Sequence, residues 1–172
     1  GATKDVRYTE VLIKSLNHAE PEMVMSSAHA LGNIGHSSAV ESLLSILDHG
    51  DSKVRLQSVI SLGKIGDASS ILPLIEMMAD PEPNVRWDAA VSLAKQKDSS
   101  GVRILLDLLD RNYLDSFPNI DETEQVQAMM VAINVSPFVQ DGQLKRSLEK
   151  LREGDSNLKI REAARLALIK FE

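Results

Sequence analysis

One pattern recurs along the chain at intervals of 31 residues, and it constrains the fold more than any other feature. Its three copies begin at Met23, Val54 and Val85. Each copy has a small residue four positions after its start and a leucine eight positions after it. Positions four apart lie on one face of an α-helix, and small side chains there let two helices approach closely. The pattern therefore predicts similar helices packed side by side in a repeat array.

The second half of each 31-residue unit also repeats. Apolar residues recur three, four and seven positions after the first in each of three segments, which predicts a second, amphipathic helix. Polar residues stand where the N-caps of these helices are expected, and glycines stand where the first helices should end. The segments are 38–49, 69–80 and 99–110, the expected N-caps are Ser38, Asp67 and Ser99, and the helix-end glycines are Gly32, Gly35, Gly63 and Gly66. One hairpin cannot bury its apolar faces alone, so the units must stack.

The sequence therefore predicts an all-α fold, a right-handed α-solenoid of about five helical hairpin repeats. We expect a single domain over residues 1–172. Aromatic residues are scarce, at 3%, while aliphatic residues are plentiful, which suits helices that pack through aliphatic ridges. The regular units cover about residues 20–111, and two irregular units cover 121–172.

The period breaks between the third and fourth units, where nine extra residues predict an insertion loop at 111–120. Asp121 and Glu124 stand at the spacing of a capping box and predict the start of the next helix. The ends of the chain predict single helices without partners, at 5–17 and 158–171. These helices are either polar caps of a complete array or a sign that the chain is a section of a longer one.

The repeated strings resemble HEAT repeats, and the short period resembles the bacterial branch called PBS-lyase HEAT-like repeats. The strings are Val54-Arg55 with Ser61-Leu62-Gly63-Lys64-Ile65-Gly66-Asp67, and Val85-Arg86 with Asp88-Ala89-Ala90. The resemblance implies an α-solenoid whose first helices form the convex side and whose second helices line a concave groove. It also implies an interaction scaffold, although some members of the branch help to attach bilins to phycobiliproteins.

Composition narrows the classes of partner and compartment. The chain has a net charge of −6, whereas nucleic acid attracts clustered lysine and arginine, although residues 144–172 hold eight basic and five acidic side chains. We therefore expect no nucleic-acid partner. The absence of cysteine excludes a disulfide framework and a thiolate metal site. No apolar stretch is long enough for a membrane span and no signal peptide is apparent, so we expect a cytoplasmic protein without a membrane partner.

Residues that could support catalysis do not form a recognisable motif. The four histidines, His18, His29, His36 and His49, never place two metal ligands on one helix face, and we interpret them as surface or turn residues. HEAT-like metal hydroxylases carry His-Glu pairs, which this sequence lacks. We therefore predict no catalytic residue, no metal and no cofactor.

Two surfaces are candidates for binding a protein partner. The first is an acidic groove along the second helices, which could hold a basic or helical segment or could consist of ordinary solvated positions. The second is the insertion loop, whose aromatic residues could anchor a partner or could fold back onto the third and fourth units. The groove residues are Glu41, Asp48, Glu76, Asp80, Arg103, Asp107 and Asp110, and the loop residues are Tyr113 and Phe117. Trp87 is expected to pack between units, because Met25 and Leu56 occupy the same place in their repeats.

The sequence as a whole predicts a non-catalytic scaffold or adaptor that binds another protein. The alternative is a subunit of a phycobilin lyase-type chromophore attachment factor, which the resemblance to PBS-lyase repeats implies.

Overall fold

A computed structural model describes residues 2–171 of the chain, and the side chains of residues 7–171. Every regular element within these residues is helical. The α-helices are α1 (Ala2–Ser15), α2 (Pro21–Ile34), α3 (Val40–Leu44), α4 (Ser52–Ile65), α5 (Ile71–Met77), α6 (Pro83–Lys95), α7 (Val102–Leu108), α8 (Arg111–Asp115), α9 (Glu122–Val139), α10 (Gly142–Gly154) and α11 (Leu158–Leu168). The 3-10 turns are Ser37–Ala39, Ala68–Ser70 and Ile169–Phe171. The all-α α-solenoid expected from the sequence is confirmed.

The 31-residue period is visible in where the first helices begin. Helices α2, α4 and α6 begin at Pro21, Ser52 and Pro83, which are 31 residues apart. Helices α2 and α4 each end at a glycine in the left-handed conformation, with φ of 72° at Gly35 and 71° at Gly66. Each of these glycines donates its N–H to the carbonyl of the leucine four residues before it, so both predicted helix ends are correct.

The capping residues before the second helices match one of the three predicted positions. In the other two units they lie one or two residues earlier than predicted. His36 Nδ1 accepts the N–H of Ser38, Asp67 accepts the N–H of Ser69, and Asp98 accepts the N–H of Ser100. The prediction was therefore right for Asp67 and wrong for Ser38 and Ser99. The acceptors at 36, 67 and 98 keep the 31-residue period, because the turn before each second helix is part of the repeat.

The second helices are shorter than the twelve-residue segments that the sequence suggested. Helix α3 has 5 residues, and α5 and α7 have 7 residues each. After α3 the backbone continues in tight turns, in which Ile46 donates to the carbonyl of Leu43 and Leu47 to that of Leu44. This bonding pattern, to the third preceding residue, is that of a 3-10 turn and shortens the α-helix.

Glycine and serine set the distance between consecutive first helices. Gly32 lies against Ser61, whose hydroxyl donates to the Ala28 carbonyl at 2.8 Å. Gly63 lies against Ser92 in the same way, and a Cβ added there would fall 2.5 Å from the Ser92 Cβ. These glycines lie inside α2 and α4, so the expectation that they end the helices was wrong. They are needed because the neighbouring backbone leaves no room for a side chain.

The first and second helices form two layers. Helices α2, α4 and α6 have 13 or 14 residues and pack side by side along their length. The second helices have only 5 to 7 residues, so consecutive ones meet at few positions within the described residues. The assignment of the second helices to a concave groove stays a prediction.

The core divides into two clusters that share α6. Ala89 and Leu93 of α6 belong to the cluster that runs from α1 to α6. Trp87, Ala90 and Val91 of the same helix belong to the cluster that runs on to the C-terminal helices. The insertion follows the next helix, so α6 is the element that joins the regular units to the irregular ones.

Candidate binding pocket at the break in the repeat

The residues predicted to line an acidic groove lie on three second helices and the turns after them. Glu41, Asp48 and Glu76 are exposed on the second-helix layer. Arg103 and Asp107 pair with each other at 3.2 Å. Asp110 is exposed and caps α8 by accepting the N–H of Asn112 at 2.9 Å. These residues therefore lie in a solvated layer of second helices, where Arg103 and Asp107 are paired and Asp110 caps α8.

Asp80 occupies a different environment from the one predicted. Its side chain is 4% exposed and accepts two hydrogen bonds from Arg55, at 2.7 and 2.9 Å. The hydrogen bonds from Arg55 lower the pKa of Asp80, against the opposing effect of burial. Asp80 therefore forms a structural ion pair with Arg55 inside the second unit, and this pair occupies its carboxylate.

A second ion pair between an arginine and a buried aspartate lies near the C-terminus. Arg111 donates two hydrogen bonds of 2.8 Å to Asp155, which is 2% exposed. Asp80 and Asp155 each also accept the backbone N–H of the second residue after them, and thereby shape the turn before the next helix. Arg111 therefore fixes the start of the insertion to the turn before α11.

The insertion is not a plain loop, and it folds back on the third unit. Its first half forms α8, and Leu114 of that helix is fully buried. Tyr113 and Phe117 are half-buried and pack edge-on against Trp87, with ring centroids 6.4 and 5.2 Å from the indole. The indole Nε1 donates to the Tyr113 hydroxyl at 3.3 Å. Of the two alternatives for these aromatics, the structure has the one in which they pack on the array.

The capping box predicted at the end of the insertion is present. Asp121 accepts the N–H of Glu124 at 2.8 Å, and the Glu124 carboxylate accepts the N–H of Asp121 at 3.0 Å. The capping box fixes the first residue of α9, and therefore which residues of α9 face α6.

A pocket of about 650 Å³ lies between α6, the insertion and α9. Its apolar surface comes from Trp87 and Val91 of α6, Phe117 and Ile120 of the insertion, and Val131 of α9. Val131 is 37% exposed, so this surface is open to solvent. The pocket exists because the nine extra residues separate α6 from α9, whereas Gly32 and Gly63 close the equivalent spaces between the earlier units.

The charged groups of the pocket are all acidic. Glu82, Asp88 and Glu124 line it, and none of the lining residues is lysine, arginine or histidine. Burial raises the pKa of Asp88, and Lys95 offsets part of this effect. Sequence reasoning missed Asp88, although one signal was available: Ser26 and Gln57, the residues at the same position in the two preceding units, are uncharged.

Other kinds of site are not apparent in the described part of the chain. No group of three or more His, Asp or Glu side chains there could hold a metal ion. None of the described helices is both long enough and apolar enough to cross a membrane.

Comparison with known proteins identifies the repeat. Residues 40–115 match the family of HEAT repeats. No curated protein sequence matches the chain.

Solved structures match the described fold over nearly the whole chain. One is from the complex of CpcE and CpcF of phycocyanin lyase from Nostoc sp. PCC7120, with a TM-score of 0.73 and 22% sequence identity. The match covers 95% of this chain and 64% of that one, so this chain spans less than two thirds of its length. Human deoxyhypusine hydroxylase in complex with glycerol matches with a TM-score of 0.51 and 12% identity, over 95% of this chain and 84% of that one.

At these identities the solved structures establish the fold alone, while the sequence match establishes the kind of repeat. The regular units, the matched segment and the shared architecture agree: residues 40–115 consist of HEAT repeats, and the described chain has the α-solenoid fold of HEAT-like repeat structures.

Proposed function

We propose that this protein is a non-catalytic scaffold that binds a partner protein on the face formed by its first helices. The pocket between α6 and α9 is the anchoring point. The observation that carries the proposal is an open pocket with an aromatic and aliphatic surface, in an array whose other first helices are in close contact. Partner proteins anchor large apolar side chains in such pockets.

The pocket is favoured over the acidic surface of the second helices. Aromatic and aliphatic groups line the pocket, and such groups supply most of the binding free energy at protein interfaces. The carboxylates of Glu41, Asp48 and Glu76 are exposed on the layer of second helices, where solvated charges contribute mainly to association rate. Phe117 contributes to the proposed site directly because it lines the pocket, whereas Tyr113 contributes indirectly by accepting a hydrogen bond from Trp87.

Filling the pocket tests this proposal. Ala128 is half-buried at the pocket, so Ala128→Trp should occupy its volume. The matched control is Ala19→Trp, which places the same side chain on an exposed residue between α1 and α2. Peptides selected from a random displayed library on the wild-type protein should bind Ala128→Trp at least about tenfold more weakly, because that loss corresponds to removal of one anchoring side chain.

Three outcomes decide between the surfaces. Weaker binding to Ala128→Trp with unchanged binding to Ala19→Trp supports the pocket. Full binding to Ala128→Trp, with loss in a variant in which Glu41, Asp48 and Glu76 are changed to Lys, transfers the site to the second helices. Failure to select any peptide contradicts the scaffold function itself.

A second candidate function is that of one subunit of a lyase-type factor that attaches bilins to phycobiliproteins. It is supported by the likeness to a chain of the phycocyanin lyase complex over 95% of this chain. In that role the pocket surface would hold an apolar chromophore while another protein presents the acceptor.

The test of the second function is direct. The chain is incubated with bilin and an apo-phycobiliprotein, alone and with CpcE or CpcF added, beside a heat-denatured control. A covalent adduct with a shifted visible band, above the level of the control, is the expected result. No adduct in any mixture excludes this function and leaves the scaffold proposal standing.

A further inference from the structure

The pocket between α6 and α9 has a charge pattern that restricts what can occupy it. Glu82, Asp88 and Glu124 contribute carboxylates, and no basic residue lines the pocket. An anionic ligand would meet three like charges in a partly desolvated space, which is unfavourable. A cation would meet opposite charges there, so the pocket selects by sign.

Asp88 is the carboxylate of the pocket that a bound cation would stabilise most. The described residues donate no hydrogen bond to it, and its electrostatic interaction within the chain is with Lys95, seven positions further along the same helix. The two buried aspartates among the described residues differ, because Asp80 is bonded to Arg55 and Asp155 to Arg111. A desolvated carboxylate without donors gains free energy when a cationic donor reaches it.

The other two carboxylates are partly committed within the chain. Glu124 accepts the N–H of Asp121 in the capping box. Glu82 stabilises the charge on Arg55. Both can strengthen the attraction for a cation at the rim. Glu82, like Asp88, accepts no side-chain hydrogen bond from the described residues, but burial disfavours the charge on Asp88, so a cation would stabilise Asp88 most.

The apolar surface shows that a cation alone is not enough to fill the pocket. Trp87, Phe117 and Val131 offer carbon surface within reach of the carboxylates, in a volume of about 650 Å³. This lies inside the range of about 300–1,000 Å³ that holds drug-sized ligands. A ligand of this size corresponds to two or three side chains of a polypeptide. The apolar surface of the pocket favours apolar side chains on both sides of the cation.

We infer that the pocket takes a partner segment in which an arginine or lysine is flanked by apolar residues, with the cation bound to Asp88 and the apolar side chains on Trp87 and Phe117. This inference rests on the proposed scaffold function and states the chemistry of the partner. The geometry also explains why the acidic residue occurs in the third unit, since that unit faces the wide gap made by the insertion.

Three peptides that differ in one charge test the inference. They are acetyl-Leu-Arg-Leu-Leu-amide, the same peptide with citrulline as a neutral counterpart of arginine, and the same peptide with glutamate. Trp87 is the only tryptophan of the chain, so its single indole N–H signal in an NMR spectrum reports on the pocket. The arginine peptide should bind about three- to tenfold more tightly than the citrulline peptide, as expected for one charge-assisted hydrogen bond, and the glutamate peptide most weakly.

Asp88→Asn provides the decisive variant because it removes the charge and keeps the shape. It should lower the ratio between the arginine and citrulline peptides to near one, while the citrulline peptide binds as before. Glu76→Gln is the matched control, which removes an exposed charge from the second helix α5 and should leave the ratio unchanged. Thermal unfolding by circular dichroism verifies that each variant is folded.

The outcomes separate this inference from the scaffold proposal. Equal binding of the arginine and citrulline peptides, or an arginine preference that persists in Asp88→Asn, overturns the inference and leaves the pocket as a binding site. An indole signal that no peptide moves overturns both the inference and the pocket as anchoring point.

Discussion

The contact between Gly63 and Ser92 makes a quantitative prediction about how the first helices pack. An alanine Cβ at position 63 would lie 2.2 Å from the Ser92 hydroxyl and 2.5 Å from the Ser92 Cβ. The hydroxyl can rotate, but the Cβ cannot, so α4 and α6 must move apart. Overpacking of this kind costs about 1–3 kcal/mol, and loss of the Ser92 hydrogen bond to Val59 adds about 0.5–1.5 kcal/mol. The higher helix propensity of alanine offsets up to about 1 kcal/mol of this loss in the free energy of unfolding. We expect Gly63→Ala to lower the free energy of unfolding by about 0.5–4.5 kcal/mol, the balance of these effects.

Urea unfolding followed by far-ultraviolet circular dichroism measures this loss. Gly154→Ala is the control, because no atom lies within 4 Å of a Cβ added at that helix end, and it should be neutral or slightly stabilising. The double variant Gly63→Ala/Ser92→Gly should recover part of the loss, with a coupling of about 1 kcal/mol or more. Equal stability of Gly63→Ala and Gly154→Ala, or strict additivity in the double variant, would refute the argument that these two residues set the helix spacing.

Three further predictions concern the insertion and the ion pairs. Hydrogen bonds from Arg55 and Arg111 lower the pKa of Asp80 and Asp155, respectively, below the ordinary value of 3.8. The stability that each pair contributes is therefore complete at neutral pH, and it is lost as the pH falls through the lowered pKa. The wild type should therefore exceed Asp155→Asn in stability at neutral pH, with a gap in urea unfolding that narrows below about pH 4; a gap that widens in acid would contradict the sign. Leu114→Ala should cost about 2–5 kcal/mol in the same assay, because Leu114 is fully buried, whereas Leu158→Ala, at a side chain that is 73% exposed, should cost little. Tyr113→Phe should shift the Trp87 indole N–H signal, since it removes the acceptor of that group, and an unchanged signal would show that the bond is not formed in solution.

The regular part of the fold follows from the sequence because its determinants are local and repeated. The spacing of Val54, Ser58 and Leu62, and its two copies, predicts the faces on which the first helices pack. The left-handed ends at Gly35 and Gly66 follow from glycine chemistry alone. The cap positions were less predictable, since serine, histidine and aspartate all accept hydrogen bonds and only the geometry of the turn decides among them.

The binding pocket could not be predicted in the same way. Trp87 and Val131 come from units that are related by no fixed period, because the insertion between them has no counterpart elsewhere in the chain. Asp80 and Asp88 both appear in the sequence as acidic residues near helix α6. One is bonded to Arg55, 25 positions earlier, and the other has no donor among the described residues, and that difference depends on contacts between distant positions. Local patterns do not encode such contacts.

The sharing of α6 between two core clusters has a mechanical consequence for the array. On one side α6 is locked to α4 through the backbone contact of Gly63 with Ser92, which is stiff because no side chain can yield. On the other side it meets α9 across the pocket, through side chains that can change rotamer. Bending of the whole array should therefore concentrate between α6 and α9, because this contact is more flexible than the one between α4 and α6. A segment wedged into the pocket would set the angle between the two halves, and distances between spin labels on α4 and α11 would record that angle.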